Sequence, residues 1–136
     1  MARQLHAWRI AYYALLTVWL CDAALVMAKV RAGFFTSYAA DLTVPAWLYI
    51  VVRNLQEAGS RSMLSRVLGR SPEVVAGALL FGSVVSEVSQ FLWPSGFFAG
   101  RFDWFDIVAY VAGIGICYGF DKLGCPRSPA TASLSE

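Results

Sequence analysis

The chain has 136 residues, enough for one domain, and a net charge of only +2. Its apolar fraction is 58%, and exchanging the 6 Tyr for the 11 Gly raises it to about 62%, against roughly 45–50% in soluble domains counted the same way. Charged residues are 15%, against about 25% in soluble domains, so lipid is the expected solvent and nucleic acid is not an expected partner.

The first apolar segment runs from about residue 10 to 28, preceded by Arg3 and Arg9 and followed by Lys29 and Arg31. A cleaved signal peptide has a shorter apolar core and a small-residue cleavage site. This stretch contains Asp22 and runs straight into Lys29, so a retained span is expected. The second segment, 34–52, includes Asp41 and Pro45 and is closed by Arg53. Proline is tolerated in membrane helices, especially near an end.

Residues 53–72 form a polar link carrying Arg53, Arg61, Arg66 and Arg70. Within it, 61–68 reads as an interfacial turn with Met63, Leu64, Val67 and Leu68 on one side. Ser71-Pro72-Glu73 reads as a helix start: an N-cap, a proline at the first position and an acid in the first turn. The third segment, 73–93, has bilayer length and ends at Pro94-Ser95-Gly96. A loop with Phe97, Phe98 and Phe102 leads to the fourth segment, 104–120. These rings, with Trp93, Trp104 and Phe105, read as an interfacial aromatic belt. The stretch 121–136 has Pro, Ser, Ala and Thr without periodicity and reads as a disordered cytoplasmic tail.

The predicted fold is therefore all-α: one polytopic bundle of four transmembrane helices over residues 1–120. With the N-terminus inside, Lys and Arg divide eight inside to three outside. The positive-inside rule then predicts both termini cytoplasmic.

His6 is the only histidine and sits in the basic N-terminal segment, where a solvated or interfacial role is expected; no His-based triad is possible. The cysteines are Cys21, Cys117 and Cys125, with no CxxC pair. Neither a disulfide framework nor a zinc site is readable.

The acids carry the functional signal, because an ionisable group at membrane depth is expensive. At a rise of about 1.5 Å per residue, Asp22 and Glu87 each fall about 9 Å below the outer ends of their segments. Asp41 and Asp106 fall near the outer starts of theirs, and Arg101 and Asp103 sit in the outer loop. Ser83, Ser86, Glu87 and Gln90 share one helix face, and Asp106, Tyr110, Gly113 and Cys117 share another. The opposite face of the fourth segment carries Ala112, Gly115 and Gly119, a small-residue spacing that suits a close helix contact, including one with a second copy.

Glu87-Val-Ser-Gln90, the aromatic loop, Arg101-Phe-Asp103-Trp-Phe-Asp106 and Gly113 together resemble the VanZ-like family of small bacterial membrane proteins. Its pattern is Glu-x-x-Gln, a loop with Arg, Asp-x-x-Asp and a glycine seven residues on. The family often carries Asp, then His four residues later, then Tyr; here Asp41 and Tyr49 match and Pro45 replaces the His. Tyr110 stands where the family usually has Asn. The resemblance covers roughly residues 38–120 and implies an outward-facing polar site. The founding member is associated with resistance to a glycopeptide antibiotic, a role the two departures do not carry over.

Three readings follow. One is a binding or handling protein for an envelope lipid or lipid-linked glycan precursor, with Glu87, Gln90, Arg101, Asp103, Asp106, Asp41 and Tyr110 as ligand-binding residues and Arg101 suited to phosphate. Another is an enzyme using Glu87, Asp103 and Asp106 as acid and base or as ligands of a divalent cation. The last is a structural or accessory subunit whose polar network fixes helix packing. No cofactor is named by any motif, and no metal ligand set is assigned.

Overall fold

The computed structural model describes residues 2–30, 33–55, 63–69, 71–93 and 103–124. Five helices account for most of them: α1 (Ala2–Met27), α2 (Phe34–Arg53), α3 (Met63–Val67), α4 (Pro72–Leu92) and α5 (Trp104–Gly124). No strand occurs among the described residues. Three helices are long and apolar enough to cross a membrane: 4–27 of α1, α4 and α5.

Local sequence explains the boundaries. α1 begins at Ala2 rather than near Ile10, because nothing between them breaks a helix; a polar flank limits membrane entry but not helicity. α1 and α2 both stop in a left-handed residue, Lys29 and Asn54. In each case the next two amides fold back: Lys29 to Val26 and Val30 to Leu25, Asn54 to Val51 and Leu55 to Ile50. This is the Schellman arrangement, which satisfies the last carbonyls of a helix. At the start of α4, the Ser71 hydroxyl accepts from the Val74 amide at 3.2 Å with Pro72 at the first position. The sequence-based start is thus observed.

α5 ends at Gly124, four residues beyond the expected end. The expected tail therefore starts inside a helix, and Asp121 is buried at 3% exposure. Loss of apolar character after Phe120 marked a change of partner, not the end of the helix. Residues 125–136 lie outside the described residues.

α2 is the hub: it packs against α1, α4 and α5 and touches α3, while α4 also packs on α5. Pair contacts fix the directions. Tyr12 of α1 meets Trp47 of α2, with ring centroids 5.5 Å apart, and Val18 further along α1 shares a cleft with Ala39 and Leu42 earlier in α2, so the two helices are antiparallel. Tyr38 meets Phe105 near the start of both helices, and Tyr49 meets Asp121 near the end of both, so α2 and α5 run parallel. Glu73 at the start of α4 pairs with Lys122 at the end of α5, so these two are antiparallel.

One face of α5 forms a ladder on α2. Tyr110 meets Asp41, Gly113 abuts the Leu42 carbonyl, Cys117 Sγ lies 3.7 Å from the Ala46 carbonyl, and Asp121 meets Tyr49. The core is small: Trp8, Ala46, Tyr49, Ile50, Val52, Val75, Ile114 and Cys117. Many large apolar side chains point outward, among them Phe81, Phe91, Val108, Ile116 and Phe120. Such a surface is a liability in water and is matched to a bilayer.

The small-residue face is bare within the chain. A β-carbon built on Gly115 or Gly119 would meet nothing within 4 Å, and Ala112 is exposed. Among the described residues no helix packs closely on Gly115 or Gly119, because the close approach to α2 uses Gly113 on the other side. In α3, Ser65 is buried whereas Met63 and Val67 are exposed. The turn thus seats its small residue inward and its long apolar ones outward.

Candidate functional site

The acids expected to share a depth do converge, at the end of the bundle where α2 and α5 begin. The Tyr110 hydroxyl on α5 lies 3.0 Å from Asp41 Oδ1 on α2 and 2.9 Å from Glu87 Oε1 on α4. One phenol therefore ties three helices together. A phenol has a single proton to donate, so it satisfies only one of these two oxygens at a time. Asp106, one turn before Tyr110 on α5, interacts electrostatically with Asp41, Glu87 and Asp103. Asp22 on α1 faces the same cluster and interacts electrostatically with Asp41.

Burial makes the arrangement costly. Glu87 is 1% exposed and Asp22 4%. Glu87 Oε2 and Asp22 Oδ1 are buried and meet no hydrogen-bond partner among the described residues. An unsatisfied buried polar atom costs about 1–3 kcal/mol, and more when charged. The cluster has more acceptors than donors, and the chain does not supply the difference among its described residues.

A cleft opens beside the cluster between α2 and α4, with a volume of about 410 Å³. Asp41, Tyr110, Ser83 and Ser86 line one end of it. A second, apolar cleft of about 340 Å³ lies between α1, α2 and α5, with Val18, Leu42, Val108 and Ala112 on its walls.

Two sequence-predicted site residues take other roles. Asp103 accepts from the Phe105 amide at 2.9 Å through one oxygen and from the Tyr38 hydroxyl at 3.2 Å through the other. It therefore caps α5. Gln90 is half-buried one turn along α4 and stands outside the Tyr110 network. Arg101 lies outside the described residues. Among the described residues no group of three His, Cys, Asp or Glu side chains is arranged to hold a metal ion.

A second buried polar cluster sits at the opposite end and was missed from sequence. Arg53 Nε donates to Asp121 Oδ2 at 2.7 Å, and the Arg53 side chain also reaches the Gly69 carbonyl at 2.7 Å. The Tyr49 hydroxyl donates to the same Asp121 oxygen at 2.9 Å. The signal was available in the spacing: Tyr49 and Arg53 are four apart on α2, and Asp121 continues the Tyr110–Gly113–Cys117 face of α5. Asp121 went unread because it followed the last apolar residue.

Fold and site together define an all-helical protein with three membrane-length apolar helices and a buried carboxylate–tyrosine cluster at one end. No family model, curated protein or solved structure matches this chain.

Proposed function

We propose that this chain is a four-span protein of the bacterial inner membrane that binds or handles an envelope lipid or lipid-linked glycan precursor at the Asp41–Glu87–Tyr110 site. α2, with 20 residues, serves as the fourth span. The alternating directions of α1, α2, α4 and α5 are those four spans need. The eight-to-three division of Lys and Arg orients the acidic end outward and both termini inward. The acids then lie at headgroup depth.

The observation that carries this reading is the Tyr110 hydroxyl held between two carboxylates, one of which, Glu87, keeps an unpartnered oxygen at 1% exposure. A ligand that brings hydroxyl or amine donors removes the cost of that oxygen. The resemblance of Glu87 to Gly113 to the VanZ-like family agrees with an outward-facing polar site on these same two helices. Native mass spectrometry of the protein extracted in mild detergent tests the reading. A retained lipid or precursor that is lost in Glu87→Gln, with helicity unchanged, is the expected result. Unchanged retention with lowered stability alone would make the network purely structural.

A second reading, a carboxylate-dependent enzyme, is favoured by the two carboxyl groups of Asp41 and Glu87 gathered on one phenol, with Asp106 one turn away on α5. Paired carboxyl groups in unlike environments are suited to acid–base work. Under that reading Asp41 joins Asp106 and Glu87 as the chemical residues, while Asp103 positions α5. Turnover of an added lipid-linked substrate, abolished in Asp106→Asn, would separate it from simple binding.

A further inference from the structure

We propose that the ligand is an amphiphile with a primary ammonium head, and that it enters sideways through the cleft between α2 and α4. This inference rests on the binding-site reading above and adds the chemistry of the head and the route.

The head follows from charge and donor count. Asp22, Asp41, Glu87 and Asp106 arrive from four helices. No Lys or Arg among the described residues pairs with any of them; the ion pairs found are Arg53 with Asp121 and Lys122 with Glu73, both at the other end. Among the described residues two of their oxygens, Glu87 Oε2 and Asp22 Oδ1, are buried without a partner, and Asp41 is the acid that lines the cleft itself. An ammonium brings three N–H donors and a positive charge together. A neutral hydroxyl supplies one donor and no positive charge to set against a carboxylate.

The route follows from the polarity of the cleft. α2 contributes Ala40 to Leu48 and α4 contributes Ala78 to Ser86, each about 12 Å of helix. The helices run so that Asp41 and Ser86 share one end and Leu48 and Ala78 the other. Tyr110 and Ser83 add hydroxyls at the first end, and Leu79 adds a methyl-rich wall at the second. The cleft thus grades from acidic to apolar along its length, matching a cationic head with a hydrocarbon chain behind it. Gly82 on its wall is exposed, and a β-carbon there would meet nothing. The opening is therefore wide where a chain would lie.

The experiment uses the full chain in mild detergent, incubated with phosphatidylethanolamine or with its N-acetyl derivative bearing the same acyl chains. Native mass spectrometry counts the lipid retained. Preference for the free amine of about tenfold or more, equivalent to about 1.4 kcal/mol, is expected. Asp41→Asn reduces that preference, and Gly82→Leu, which fills the cleft without touching a carboxylate, reduces retention of the amine lipid. Circular dichroism confirms that both variants are folded. Equal retention of the two lipids overturns the ammonium head. Retention unaffected by Gly82→Leu overturns the route. Displacement by ethanolamine alone at equal concentration overturns the amphiphile and assigns the site to a free amine. A lipid-linked precursor retained through Glu87 with no amine preference leaves the binding-site reading standing while this inference falls.

Discussion

Gly113 of α5 lies so close to the Leu42 carbonyl of α2 that a β-carbon on it would overlap that oxygen. The two backbones touch there, and everything on the shared face is registered by the contact. One turn towards the acidic end Tyr110 meets Asp41; one turn the other way Cys117 meets the Ala46 carbonyl. Gly113→Ala is expected to lower stability by about 1–3 kcal/mol, the usual cost of overpacking a tight contact. Thermal unfolding in detergent measures it. Gly115→Ala, which meets open space in the same helix, is the control and should leave the unfolding temperature unchanged.

The Gly115 face also bears on assembly. Among the described residues nothing lies within 4 Å of a β-carbon built on Gly115 or Gly119. If a second copy packs there, Gly115→Leu converts a dimer to a monomer in cross-linking or light scattering without changing monomer helicity. An unchanged oligomeric state assigns the face to lipid.

The clamp at the opposite end should matter for stability alone. Removing one partner of a buried ion pair commonly costs about 3–5 kcal/mol, because the other charge is left stranded. Asp121→Ala strands Arg53, whose side chain is only 12% exposed, and is expected to approach that cost. Tyr49→Phe removes a single hydrogen bond and should cost about 0.5–1.5 kcal/mol. Neither substitution should alter ligand retention at the far end. A loss of ligand in Tyr49→Phe would reveal coupling between the two clusters.

Tyr110→Phe separates binding from folding at the acidic end. It keeps the ring and removes the hydroxyl that Asp41 and Glu87 share. The expected outcome is a folded protein with at least severalfold weaker ligand retention by native mass spectrometry. Full retention would show that the hydroxyl serves only to hold α2, α4 and α5 together.

Orientation is tested with single cysteines. In a background with Cys21, Cys117 and Cys125 replaced, Ser95→Cys should react with a membrane-impermeant thiol reagent from outside and Ser128→Cys only from inside. Labelling of both from one side would contradict the four-span topology.

The sequence by itself determined the long apolar helices and which residues share a face on each. Apolar runs of bilayer length, the Ser71-Pro72 start and the chain breaks around residues 30, 54 and 94 are local signals, and local hydrogen bonding obeys them. Helical spacing also placed Asp106, Tyr110, Gly113 and Cys117 on one face. What that face would meet was decided only by tertiary structure. Gly113, rather than Gly115 or Gly119, is the point of closest approach because it is the one of the three that faces the α2 backbone, at Leu42, a register no side-chain pattern encodes. Asp103 looked equivalent to Asp106 in the sequence. Its position at the helix N-terminus turned it into a cap, while Asp106, one turn inside, faces the cluster. Asp121 looked like the first residue of a tail, and only the parallel packing of α5 on α2 delivered it to Tyr49 and Arg53. Periodicity fixes which residues share a face of one helix. Pairing polar groups across helices depends on the register between them, which is set by backbone contact.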